Sequence, residues 1–250
     1  MSSGLLMDQS KKDSRPLQKM FMAVPPTYDV MNRLLTFRLD EVWRKRAARE
    51  CLKNDPERVL DLCCGTGDLV LQIKKMALPH TKVMALDYSE PMLQVAKKKA
   101  GKRKLNGIEF HFGDAASMPF PDAHFDAIGI AFAFRNLSYH NPDRDKFITE
   151  ILRVLKPGGR FVIIETSQPD NPLIRKLFHW YMRWITAPVG GLFSGHYGAY
   201  KYLAHSASNY YNNKELKELL VERGFADVGS KIFLKGIASL NIAIKAKKKD

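Results

Sequence analysis

The run Arg58 to Gly67, RVLDLCCGTG, limits what this chain can fold into more than any other stretch. Val59, Leu60 and Leu62 form a short apolar run between Pro56 and Gly65, the pattern of a strand buried in a parallel sheet. Gly65 and Gly67 then turn the backbone with no side chains in the way. From Asp68, read as an N-cap, Leu69, Val70 and Ile73 carry an amphipathic helix. Strand, glycine turn and helix N-terminus bring backbone close to a ligand, the corner that nucleotides occupy in α/β folds. A second strand, Lys82 to Leu86, ends in Asp87, about 20 residues past the turn, where a ribose diol is held.

The identity of that nucleotide turns on two departures. A dinucleotide corner needs a third glycine, and that position is Val70. A phosphate-cradling loop needs a Gly-Lys-Ser/Thr ending, which is absent. Asp61 sits inside the strand before the turn, where an acid repels a pyrophosphate but suits a ligand carrying an amine and a sulfonium. S-adenosylmethionine is such a ligand. A third strand, Ile108 to Phe112, runs into Gly113-Asp114, and Asp114 can accept from an adenine amino group. The competing reading is a tight turn that holds no ligand.

Charge and cysteine content bound the remaining choices. Lys+Arg is 40 against Asp+Glu 26, a formal net charge of +14, which predicts attraction to a polyanion such as nucleic acid or an anionic membrane. Cys51, Cys63 and Cys64 make an odd set with two neighbours, which fits a reducing compartment and shows no zinc spacing. The longest apolar run, Ala127 to Phe134, is too short to span a bilayer, and no secretory leader is evident. A cytoplasmic protein is expected.

Residues 1–19 read as a disordered leader and 20–250 as one domain. Residues 20–53 carry two helices broken near Leu35 to Arg38, with Asp40 as a cap; they precede the corner and can lie over it as a lid. A helix from Ser89 ends in the basic run Lys97 to Lys104. Phe125 to Ala131 is a central strand, and Arg135 and Asn136 follow at the sheet edge where ligands bind in open α/β folds. A surface salt bridge or a helix-cap contact is the plainer role for Arg135. The helix Asp143 to Leu155 stops at Lys156 to Gly159, before a strand from Arg160 to Glu165. Residues 169–212 break the alternation with an apolar helix and a loop rich in glycine and aromatics, read as an acceptor-binding insert. Lys214 to Arg223 is a helix, and Asp227 to Leu234 with Ile237 to Ala246 form a hairpin. The expected fold class is α/β: a doubly wound, mostly parallel seven-stranded sheet with an antiparallel C-terminal hairpin.

The segments DLCCGTGD, ALDYS, FGDAASMPFPD, FDAIGIAFAFRN and LRVLKPGG together resemble the class I, Rossmann-like S-adenosylmethionine-dependent methyltransferases. More narrowly, YDVMNRLLTFRLDEVW, the FRN after the fourth strand and AYKYLAHSA resemble the C-methyltransferase family of ubiquinone and menaquinone biosynthesis. The resemblance implies a cofactor site of Asp61, Gly65, Thr66, Gly67, Asp87, Tyr88, Asp114, Ala115 and Ala131. It also implies methyl transfer to a ring carbon of a prenylated quinol, with demethylmenaquinol first. Arg135 would steady a developing phenolate, directly or through a water, and Tyr200 or His196 are the alternatives for the proton. Where the family often has a serine in the fourth strand, this chain has Ala131, and His196 replaces an acid or amide.

No metal is required. The implied partners are the quinol and an anionic membrane met at its inner face through Lys97 to Lys104 and Lys245 to Lys249; a homodimer is allowed and nucleic acid is not expected. The alternatives are a methyltransferase for another phenolic or lipid-like molecule and, from the net charge, an RNA-associated methyltransferase. Against the last stands the missing Asn/Asp-Pro-Pro-aromatic loop.

Overall fold

The computed structural model describes residues 28–195 and 197–247, so the leader expected over 1–19 and the start of the lid lie outside the described residues. Two helices come first, α1 (Tyr28–Leu35) and α2 (Leu39–Cys51). They break where expected, but Asp40 is not the cap. Arg38 takes the N-cap position in a left-handed conformation at φ 61, with Phe37 at φ 52 beside it. Asp40 lies buried inside the helix, where Thr36 and Arg44 donate to its two carboxylate oxygens.

The sheet follows. β1 (Arg58–Leu62), α3 (Asp68–Met76), β2 (Lys82–Asp87), α4 (Glu90–Lys102) and β3 (Ile108–Phe112) make one half. β4 (Phe125–Ala131), α5 (Phe134–Ser138), α6 (Arg144–Val154) and β5 (Leu155–Thr166) make the other. After α7 (Pro172–Tyr181), a π-helical turn (Met182–Thr186), α8 (Ala187–Ser194), α9 (Tyr197–Asn209) and α10 (Asn213–Glu222), the chain closes with β6 (Phe225–Phe233) and β7 (Ala238–Lys245). The strand order is β3-β2-β1-β4-β5-β7-β6. The first five strands run parallel, and β7 runs antiparallel to both neighbours, as expected of the C-terminal hairpin.

Strand alternation divides the core. Leu60, Leu62, Ile128 and Phe161 pack with Ile151 and Leu220 on one face. Val59, Ala127 and Val162 pack with Ala47, Cys51, Leu69 and Ile73 on the other. Each of the Val, Leu, Ile and Phe side chains among these stabilises the fold by roughly 1.5–3 kcal/mol. The strand order reverses between β1 and β4, and a crevice opens there at the carboxyl ends of the strands.

Four readings need correction. Asp68 is the first residue of α3, and the N-cap is Gly67 at φ 86. A Cβ on Gly67 would sit 2.8 Å from that of Ala96, so the helix must begin on a residue with no side chain. The Lys156 to Gly159 stretch is no separate stop: β5 begins at Leu155 and takes it in, with a register shift opposite Phe125 and Ala127. Lys99, in the basic run offered as a membrane contact, turns back to Asp29 at 2.5 Å and Asp68 at 2.7 Å.

The stretch read as a glycine-aromatic loop is instead the helices α8 and α9, with His196 between them outside the described residues. Its glycines serve packing. A Cβ on Gly190 would lie 2.1 Å from the Tyr200 ring, and one on Gly191 would lie 2.4 Å from that of Tyr197.

Candidate active site

A cavity of about 680 Å³ occupies the crevice. One wall is the glycine turn and the tips of the first three strands. Cys63 at φ 53 and Gly65 at φ 53 carry the turn away from β1, and the Cys64 N–H donates to Leu86 O at 3.0 Å, tying it to β2. Such left-handed backbone is costly for a non-glycine residue and is concentrated where chains build sites.

Asp61 lies in β1 directly beneath the turn. Its Oδ2 accepts from the Val70 N–H at 2.8 Å. Its Oδ1 is buried without a hydrogen-bond partner. Burial pushes this carboxyl well up, against the opposing pull of the Val70 N–H and Arg44. Asp87, at the tip of β2, accepts from Gly65 N–H at 2.7 Å and Ser89 N–H at 2.8 Å, and so holds the turn in place. Burial raises its carboxyl too, more than these bonds lower it. A buried carboxyl with an unpartnered oxygen and a half-buried one beside it suit a ligand that brings positive charge and hydrogen-bond donors. A phosphate would meet them as like charge.

Asp114 accepts from Ala116 N–H at 2.8 Å, and Ala115 beside it is buried. Tyr88 stands half out of the surface against Phe112, and Ala131 ends β4 on the cavity. Thr66 donates to Asp29 Oδ1 at 2.7 Å and receives Lys99 Nζ at 3.1 Å, which ties α1 to the turn. Asp68 loses hydration there, but Arg44, Lys99 and Arg33 outweigh this and hold its carboxyl below the usual range. All of the expected cofactor residues except Gly67 face the cavity.

The opposite wall begins where β4 ends. Phe132 at φ 58 bends the chain into α5, whose Phe134 anchors it in the core. Arg135 is thereby turned inward, 3% exposed, so the surface salt bridge is ruled out. Its Nη1 donates to Glu165 Oε1 at 2.7 Å and Thr166 Oγ1 at 2.9 Å, its Nε to Ser206 Oγ at 3.1 Å, and its backbone N–H to Glu165 Oε2 at 3.2 Å. Glu165 is wholly buried. Nη2 has no hydrogen-bond partner among the described residues, and Arg135 borders the cavity. Asn136 beside it accepts from the Tyr202 hydroxyl at 3.2 Å, and its carbonyl receives Asn141 Nδ2 at 2.8 Å.

Tyr200 is not brought to this wall. It packs with Met31 and Leu35 of α1, away from the cavity lining, because Gly190 draws its ring between the helices. His196 lies outside the described residues.

Sequence reasoning missed Asp29, Asn141, Thr166 and Ser206, and it gave Glu165 only as a strand end. Glu165-Thr166 was within reach: an acid at the tip of an apolar strand repeats the pattern of Asp87 on the same sheet edge. Ser206 carries no such signal. Among the described residues no helix is long and apolar enough to cross a membrane.

With this geometry in place, comparison with known proteins identifies the relatives. Residues 7–245 match the ubiE/COQ5 methyltransferase family. The demethylmenaquinone methyltransferase of Thermus thermophilus is 40% identical over 223 residues, covering 89% of this chain and 98% of the relative. The ubiquinone/menaquinone biosynthesis C-methyltransferase UbiE of Geobacter sulfurreducens is 37% identical, covering 90% of this chain and 86% of its own. A crystal structure of a SAM dependent methyltransferase from Aquifex aeolicus superposes with a TM-score of 0.60 at 23% identity, covering 91% of this chain and 97% of that one, and shares the fold.

Proposed function

The chain belongs to the ubiE/COQ5 methyltransferase family, and from that premise we propose that it methylates a ring carbon of a prenylated quinol, with demethylmenaquinol as the first acceptor. It is a methyltransferase, and its cofactor is S-adenosylmethionine, which supplies a methyl already activated by a sulfonium. The observation that carries the acceptor reading is one cavity with two unlike walls. Carboxyls line one, and a buried guanidinium held by Glu165 lines the other.

On the cofactor wall, Asp61 would hold the amine, Asp87 the ribose hydroxyls, and Asp114 with Ala115 the adenine. Gly65 and Thr66 would pass close to the methionine part. On the acceptor wall, Arg135 offers the Nη2 of its guanidinium to the quinol oxygen as that oxygen passes its proton to a water. Glu165 fixes the guanidinium plane, so little reorganisation is needed as charge develops. Carbon attack requires that electron-rich ring to be held in line with the methyl, and closing water out of the cavity strengthens the field of Arg135.

The helices α1 and α2 form the lid in this reading. The prenyl tail of the acceptor resides in a bilayer, so the enzyme works from the cytoplasm in peripheral contact with an anionic membrane. The test is methyl transfer from labelled S-adenosylmethionine with demethylmenaquinol and a demethyl ubiquinol precursor offered side by side. Label in the naphthoquinol is expected. Label in neither, with cofactor binding intact, would move the acceptor to another phenolic or lipid-like molecule.

A further inference from the structure

The segment α7 to α8 carries an apolar stripe that the fold does not cover. Leu173, Leu177, Trp180 and Trp184 recur at helical spacing, and each is between 56% and 65% exposed. Phe178 and Met182, on the other side of the same helical run, are buried with Ala204 and Ala207 of α9. The helix is thus anchored by one face and bare on the next. Leu192 and Phe193 extend the bare surface along α8.

Charge is distributed to match. From residue 171 to residue 214 there is no Asp or Glu, while Arg175, Lys176, Arg183 and Lys201 all fall in this stretch. The Arg183 guanidinium lies 5.4 Å from the Trp184 ring centre. A tryptophan-bearing apolar stripe flanked only by cations is the composition of a helix lying at a membrane–water boundary. The stripe is also continuous with the cavity. Leu177 belongs to both, and Phe37 of the lid, itself 76% exposed, borders the same opening.

The lysine runs are weaker candidates. Lys99 is engaged by Asp29 and Asp68, and Lys245 donates to the carbonyls of Leu152 and Leu155.

We infer that α7, the π-helical turn and the exposed face of α8 are the surface by which this enzyme docks on an anionic lipid bilayer, with the tryptophans at headgroup level and the cavity mouth facing the hydrocarbon. An apolar tail can then pass from bilayer to cavity along Leu177 without crossing water. This inference rests on the reading of the acceptor as a prenylated quinol.

Two of the three tryptophans lie on the stripe and the third, Trp43, is buried, so tryptophan emission reports on this surface. The full-length protein is mixed with vesicles of phosphatidylcholine alone or with phosphatidylglycerol, and pelleting and emission are followed. Binding to the anionic vesicles with a blue shift is expected. Trp180→Ser with Trp184→Ser should weaken partitioning by about tenfold or more. Arg175→Glu with Lys176→Glu should weaken it by about tenfold on anionic vesicles and not on neutral ones. Unchanged S-adenosylmethionine affinity in both variants shows that they fold.

No binding by the unaltered protein, or binding indifferent to both variants, would overturn the assignment. So would a dimer in buffer that Trp180→Ser with Trp184→Ser dissociates, since the stripe would then cover a second copy. A water-soluble, short-tailed demethyl quinol separates the two claims. Its turnover without vesicle binding sinks the docking surface alone; vesicle binding without quinol turnover sinks the acceptor alone.

Discussion

The cofactor wall comes from consecutive strand tips, Asp61, Asp87 and Asp114, and from backbone turned by glycine. The acceptor wall brings together α5, the end of β5 and α9, with Arg135 bonded to Glu165 and Ser206 across 30 and 71 residues of chain. The first wall is acidic and was expecting a cation; the second is a cation already satisfied by an acid. One wall therefore gains its charge balance from its ligand, and the other has it before any ligand arrives. The difference separates what each wall loses on mutation.

The largest effect is expected at Arg135. Arg135→Ala should lower turnover by on the order of 10²–10³, as for loss of a group that stabilises developing charge, while cofactor affinity stays within about threefold. The same change strands Glu165 in the core and should cost about 3–5 kcal/mol of stability. Arg135→Lys keeps the charge and should recover stability more than turnover, because one ammonium cannot serve Glu165, Ser206 and a quinol oxygen together. Full turnover in Arg135→Ala would remove it from the chemistry. Turnover kinetics, cofactor titration and chemical denaturation measure the three quantities.

Gly67→Ala comes next and tests the cofactor wall as packing. The added methyl meets Ala96 at 2.8 Å in a left-handed backbone, and about 2–4 kcal/mol of stability should be lost. Gly65→Ala has open space around its Cβ and should cost about 1–2 kcal/mol, from backbone conformation alone. Equal losses on denaturation would show that the turn is held by conformation and not by the contact with α4.

These contrasts also explain what could be read from the chain alone. The corner was legible because strand, turn and helix follow one another directly from Arg58 to Met76 and each step is set by local backbone preference. The seven-stranded, mostly parallel sheet with its antiparallel hairpin followed from the same periodicity, but the strand order, with β7 between β5 and β6, did not. The α8–α9 region was misread because Gly190 and Gly191 carry a turn signal, and nothing local reveals that the Tyr200 and Tyr197 rings fill the space that their missing side chains leave. Arg135 could be picked out by its place after a buried strand. Its burial could not, because Glu165 and Ser206 come from elements whose approach is tertiary.

Asp61→Asn is expected to weaken S-adenosylmethionine binding by about tenfold, the value of a charge-assisted hydrogen bond to a buried acceptor. Its pH dependence is the sharper measurement. Burial raises the folded carboxyl above its ordinary 3.8, and Asp87 is raised likewise. In the empty protein these groups contribute stability below that ordinary value and lose it as pH rises through the folded one. A cationic ligand favours the ionised form, so cofactor affinity should climb with pH across that window and binding should release protons. Calorimetry in buffers of different ionisation enthalpy counts those protons. Asp61→Asn should reduce the count but leave the part due to Asp87, and a count unchanged by the substitution would mean that Asp61 does not face the amine.

The smallest effect is expected where the lid meets the cofactor wall. Asp29 receives Thr66 at 2.7 Å and Lys99 at 2.5 Å, Lys99 continues to Asp68 at 2.7 Å, and Arg33 reaches Asp68 at 3.4 Å. These side chains are only partly buried, so each pair is worth about 0–1 kcal/mol after solvent screening. Asp29→Ala should therefore change equilibrium affinity for the cofactor by less than about fivefold. Its main consequence should be kinetic: with α1 untied from the turn, cofactor should dissociate faster and backbone amides of residues 28–35 should exchange faster in the empty protein. High salt should reproduce part of this in the unaltered protein and little of it in the variant. A fall in affinity of a hundredfold or more would mean that α1 builds the cofactor site instead of covering it. The cofactor wall would then be as tertiary in origin as the acceptor wall, and the contrast between them would fail.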